Sequence, residues 1–135
     1  MSAGVLDTSA LIALFRGHEE VAAASRRLDR LVLPAIVLGE ILAGRTGPGR
    51  TGGSDQGVRA LLASPRVEVA PIGAETAVRY AAIWDGLRHA GRPVPANDIW
   101  IAASAMELGL PVLTLDRHYL EIPQILVEFF GGARE

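Results

Sequence analysis

AGVLDTSALIALFRG, residues 3–17, carries the decisive reading. Its first part, residues 3–7, reads as a short buried strand that ends on Asp7. TSALIALFRG then reads as a helix, with Thr8 or Ser9 as N-cap and Gly17 as stop. A buried strand that runs straight into a helix is the repeating unit of a parallel sheet. The pattern recurs along the chain. Residues 18–30 predict a polar amphipathic helix with Val21, Ala24, Leu28 and Leu31 on one face. LVLP (31–34) is a brief strand, and AIVLGEILAG (35–44) a mostly apolar helix closed by Gly44. VRALLAS (58–64) predicts a helix, RVEVAPI (66–72) a half-exposed strand, and residues 73–91 the longest helix. GRPVPA (91–96) is a Pro-bounded loop, and NDIWIAASAMELG (97–109) a helix with Asn97 as N-cap and Gly109 as C-cap. PVLTLD (111–116) is a second buried strand that ends on an aspartate, and ILVEFF (125–130) a last one, with Glu128 facing outward from a sheet edge. The fold expected is α/β, a central parallel sheet with helices on both faces, as one domain over residues 1–135.

Composition narrows the chemistry. The 135 residues are 50% hydrophobic, enough for a folded core, and contain no cysteine and no lysine. Disulfides, zinc–thiolate sites and thiol nucleophiles are excluded, as are a Walker-A clamp and Schiff-base chemistry. The net charge of −2 gives no general basic surface for nucleic acid. No apolar run approaches the roughly 18 residues of a membrane span. The opening MSAGVLD has no basic stretch before Asp7, so a cytoplasmic protein is expected. Residues 45–57 (RTGPGRTGGSDQG) form a glycine-rich stretch read as a loop within the domain.

The acids fall in unusual places. Asp7 is the only charged residue in 1–15, Glu40 in 31–44, Asp98 in 93–106 and Asp116 in 108–116. A carboxylate in an apolar segment is costly to bury unless it is paired or binds a metal. Three of them also have a structural explanation, since Asp7 and Asp98 suit helix starts and Asp116 a turn. Glu40 resists that explanation, for it lies mid-helix with no basic residue three or four positions away. Asp7 and Asp116 end strands, where ligands of parallel sheets bind. Four such acids point to a divalent cation, Mg²⁺ or Mn²⁺.

With those residues in view, the chain resembles PIN-domain ribonucleases, and among them the toxin half of VapBC toxin–antitoxin pairs. The resemblance covers nearly the whole chain. Its motifs match in VLDTSALIAL (Asp7, Thr8, Ser9), PAIVLGEILAG (Glu40), NDIWIAASAMELGLPVLT (Asp98) and LTLDRHYLEIP (Thr114, Asp116). One departure is His118, where many relatives place a second acid; another is the length of the glycine-rich stretch. The resemblance implies a parallel sheet of about five strands and a pocket in which Asp7, Glu40, Asp98 and Asp116 hold one or two Mg²⁺ or Mn²⁺. It implies hydrolysis of RNA, of the tRNA or rRNA class, by a metal-activated water. It also implies a homodimer silenced by a cognate VapB-type antitoxin.

Thr8, Ser9, Thr114 and Asn97 are candidates to orient a water or a phosphate oxygen, and Arg16, Arg45 and Arg50 to bind RNA. His18 and His89 read as surface residues, and Trp84 and Trp100 as core or interface packing. Other phosphoryl chemistries fit less well: a phosphoreceiver domain needs a lysine, and a haloacid-dehalogenase-like site needs an aspartate where Ser9 stands. GPGRTGGS lacks the lysine and preceding strand of a P-loop. The remaining alternative is a catalytically silent PIN-like module that binds RNA or protein. Setting the four acids aside leaves 13 arginines against 11 acids, so the chain's acidity is concentrated in the expected pocket.

Overall fold

The computed structural model describes residues 2–44 and 55–131. In chain order the elements are β1 (Ala3–Leu6), α1 (Thr8–Phe15), α2 (Glu19–Arg26), β2 (Arg30–Pro34), α3 (Ala35–Ala43), α4 (Asp55–Ala63) and β3 (Val67–Ala70). They continue with α5 (Ala74–Ala90), α6 (Ala96–Leu108), β4 (Val112–Thr114), a 3₁₀ turn (Arg117–Glu121) and β5 (Val127–Phe129). The strands form one five-stranded sheet in the order β3-β2-β1-β4-β5, parallel throughout.

Burial explains the order. Every residue of β1 and β4 is buried, as are Leu31–Pro34 of β2. These continuous apolar runs suit strands covered on both faces. The edge strands are more polar, and Glu68 in β3 and Glu128 in β5 are exposed. Val5 pairs with Val32 on one side and Val112 on the other, which fixes β1 at the centre. Gly4 lets the layers close on that strand, because a Cβ there would stand 2.9 Å from Leu113 Cδ1 and 3.0 Å from Leu28 Cδ1.

From β1 the chain steps outward through β2 to β3, then returns through α5 and α6 to β4 on the other side of β1. Crossovers between parallel strands are as a rule right-handed, which puts outward and returning helices on opposite faces of a sheet. The chain reverses between β1 and β4, so the switch point lies beyond their carboxyl ends. One hydrophobic cluster takes residues from all six helices, among them Ala10, Val21, Val37, Val58, Ile83 and Ile99.

The local differences from expectation have simple causes. Helix α4 begins at Asp55, so the end of the expected loop is helical, with an acid in its first turn; the rest of that loop, with Arg45 and Arg50, lies outside the described residues. The 3₁₀ turn after β4 was not foreseen; Asp116 initiates it by accepting from His118 N at 2.9 Å. Gly109 caps α6 in the left-handed conformation, φ 68°, as expected. No helix among the described residues is long and apolar enough to cross a membrane.

Candidate active site

Asp7 joins β1 to α1. It is itself the N-cap, in place of the expected Thr8 or Ser9, with Oδ1 accepting from Ala10 N at 2.8 Å. A carboxylate suits the positive end of a helix, and capping by Asp7 releases both hydroxyls for longer-range bonds. Ser9 Oγ lies 2.8 and 2.9 Å from the two Asp7 oxygens and accepts from Leu115 N at 2.9 Å. Thr114 Oγ1 donates to Asp7 Oδ2 at 2.6 Å and accepts from Asp116 N at 2.8 Å. Each hydroxyl has one proton to give, and Asp7 takes both. The Asp7 side chain is thus wrapped by three donors and only 2% exposed. Burial pushes its carboxyl up to about 6 from 3.8, with the negative charge of Asp116 adding to the rise; the bonds from Thr114, Ala10 and Ser9 oppose it.

Glu40 lies half-buried in α3. Thr8 Oγ1 donates to its Oε1, and Asn97 Nδ2 to its Oε2 at 3.0 Å. The expected N-cap role of Asn97 is therefore corrected. Helix α6 starts earlier, at Ala96, with Pro95 at the cap position and no side-chain capping bond. Proline already holds a φ that leads into a helix, here −57°, so the Asn97 amide is left for Glu40. The lone glutamate is met by neutral donors rather than by a base. Thr8, Ser9, Thr114 and Asn97, expected to orient a water or phosphate, all bond carboxylates.

Asp98 and Asp116 meet at His118. Asp98, in the first turn of α6, brings Oδ2 to 3.0 Å from His118 Nδ1. Asp116 Oδ1 stands 3.1 Å from the same nitrogen. One ligand atom each from Asp98, Asp116 and His118 falls within a 4.8 Å group. Asp7 and Glu40 lie outside that group. Burial raises the Asp98 carboxyl above its ordinary range, the His118 hydrogen bond opposes this, and the Asp116 charge adds to it.

Tyr119 was missed by the sequence reading. It is fully buried and donates its hydroxyl to Asp98 Oδ1 at 3.3 Å. Desolvation, and then the charges of Asp7, Asp98 and Asp116, push its ionisation far above the ordinary range. The phenol therefore stays a donor, and three carboxylates gather around it. The only sequence signal was an aromatic ring three residues after a strand-ending aspartate.

Other expectations resolve locally. Arg16 is exposed and borders a cleft with Ser9, His18 and Leu115. His89 is exposed as expected, whereas half-buried His18 caps α2 through Nδ1, 3.3 Å from Val21 N. Trp100 packs on Tyr80 with ring centroids 4.3 Å apart, but Trp84 is largely exposed, with the Arg88 guanidinium 5.4 Å from its ring centre.

Comparison with known proteins agrees with this architecture. The PIN domain family matches residues 4–125. Ribonuclease VapC5 of Mycobacterium tuberculosis is 34% identical over 115 residues, which cover 85% of this chain and 84% of that protein. A solved structure of VapBC-5 from Mycobacterium tuberculosis, a member of the VapBC family of toxin-antitoxin systems, contains a chain that superposes with a TM-score of 0.73 at 27% identity, over 96% of this chain and all (100%) of that one. A chain in the structure of VapBC2 from Rickettsia felis bound to promoter DNA shares the fold, with a TM-score of 0.80 at 18% identity, over 95% of this chain and 98% of that one. Sequence and fold thus converge, and the chain belongs to the PIN-domain family, in its VapC group.

Proposed function

We propose that this protein is a metal-dependent endoribonuclease and the toxin of a type II toxin–antitoxin pair. The observation that carries this reading is the group of Asp98, Asp116 and His118 atoms at the switch point between β1 and β4, in a chain of the VapC group. The donor chemistry fits a hard or borderline divalent ion, Mg²⁺ or Mn²⁺. Asp98 and Asp116 hold the cation, and Asp7 and Glu40 complete the acidic site. When bound, such an ion supplies Lewis acidity, which activates water and offsets charge on phosphate oxygens. Asp7 is held in place by Ser9 and Thr114, and Glu40 by Thr8 and Asn97. Those bonds keep the carboxylates from reorienting as a phosphodiester enters.

The substrate on this reading is RNA of the tRNA or rRNA class. The partner is a VapB-type antitoxin, supported by relatives solved as VapBC complexes. A homodimer formed by one PIN-like domain over residues 1–135 completes the proposal. The test is cleavage of a structured RNA by purified protein with Mn²⁺ or Mg²⁺. Cleavage is expected with the metal, and is expected to disappear with chelator and in folded Asp98→Asn and Asp116→Asn variants. RNA left intact by the wild type in every metal favours the silent binding module instead.

A further inference from the structure

We infer that His118 is a direct nitrogen ligand of the cation, and that it makes this site prefer Mn²⁺ and later divalent transition ions over Mg²⁺. The inference rests on the metal-nuclease reading above and adds the donor that sets metal choice. His118 Nδ1 stands 3.0 Å from Asp98 Oδ2 and 3.1 Å from Asp116 Oδ1. Neighbouring ligands of an octahedral ion with bonds of about 2.1 Å are about 3 Å apart. Both distances from the imidazole match that spacing, and all three ligand atoms lie within 4.8 Å of one another, so a cation that displaces the Nδ1 proton meets them together.

The surroundings aim these atoms. The Tyr119 hydroxyl takes Asp98 Oδ1, which leaves Oδ2 directed to His118. The backbone N of His118 donates to Asp116 Oδ1 at 2.9 Å, so the 3₁₀ turn fixes the imidazole and the carboxylate together. Asp7, by contrast, is already surrounded by the Ser9, Ala10 and Thr114 donors. His118 also remains exposed, so the site is open on its side. Carboxylate oxygen suits Mg²⁺ and Mn²⁺ alike, whereas imidazole nitrogen favours Mn²⁺ and the metals after it. An oxygen donor at the same position would remove that bias.

Titration calorimetry of the wild type and of His118→Asp and His118→Ala, with Mn²⁺ and with Mg²⁺, tests the preference without any cleavage assay. The wild type is expected to bind Mn²⁺ at least about tenfold more tightly than Mg²⁺. His118→Asp should keep metal binding and narrow that ratio, and His118→Ala should weaken Mn²⁺ more than Mg²⁺. Electron-spin-echo spectra of the Mn²⁺-loaded wild type should show coupling to a histidine nitrogen. That coupling should change on ¹⁵N-histidine labelling and vanish in His118→Ala. Mn²⁺ binding that depends on Asp98 but shows no nitrogen coupling and an unchanged ratio in His118→Asp overturns the inference and leaves the metal site standing. Mn²⁺ binding that is absent, or indifferent to Asp98→Asn, overturns both.

Discussion

Thr114 Oγ1 donates to Asp7 Oδ2 across 2.6 Å, from the last residue of β4 to the residue that follows β1. The same oxygen receives the Asp116 amide at 2.8 Å. One buried hydroxyl thus ties two acids of the site to the two central strands. Thr114→Val keeps the shape and removes both bonds. It is expected to destabilise the fold by about 1–3 kcal/mol, because it strands a buried acceptor and a backbone donor. Thr114→Ser should recover part of the loss. Urea unfolding of the three proteins measures it.

Asp7 gives a pH dependence with a definite sign. Its folded carboxyl titrates near 6 and its ordinary value is 3.8, so the folded state holds the proton more tightly. The stabilisation from that proton is complete below the ordinary value and is lost as pH rises through about 6. The shift corresponds to about 3 kcal/mol. In chelator, wild-type stability should therefore fall relative to Asp7→Asn between pH 4 and pH 7.5, by up to about that amount. Denaturation midpoints of the two proteins across that range check it, and parallel curves would contradict the buried-carboxylate account.

Tyr119→Phe isolates the phenol hydroxyl. Loss of its bond to Asp98 should cost about 1 kcal/mol of stability. If Asp98 holds the cation, losing this support should also lower RNA cleavage about 10–100-fold. Cleavage rates at saturating metal, with thermal melts of the same samples, separate the two effects.

Gly4→Ala tests the central packing away from the acids. The added methyl would collide with Leu113 and Leu28, since the Cβ position is 2.9 Å from the first and 3.0 Å from the second. Overpacking of this kind should destabilise by about 1–3 kcal/mol, measured by urea unfolding.

Much of this architecture was legible from residue patterns. Buried strands leave unbroken apolar runs such as GVL and VLT, and a single acid at the end of such a run is conspicuous. That contrast pointed to Asp7 and Asp116 as acids at strand ends, where the ligands of a parallel sheet bind. What could not be read was pairing over long distances. Whether Ser9 caps its own helix or reaches Leu115, 106 residues away, depends on the strand order rather than on local preference. The same holds for Asn97, whose neighbours suggest a cap but whose amide bonds Glu40 in another helix. Tyr119 was hidden for a related reason: RHYLE has no periodic apolar face, and its ring is buried only because the 3₁₀ turn folds back beneath Asp98.

The placement of β4 beside β1 has a consequence for biosynthesis. Asp7 and its Thr114 partner are separated by 107 residues. A nascent polypeptide that has left the ribosome only as far as α5 contains Asp7 and Glu40 but none of Asp98, Thr114, Asp116 or His118. The acidic centre therefore cannot form until β4 and the 3₁₀ turn after it have been synthesised. A product that stops before β4 holds Asp7 without its Thr114 bond and lacks the Asp116 and His118 side of the site.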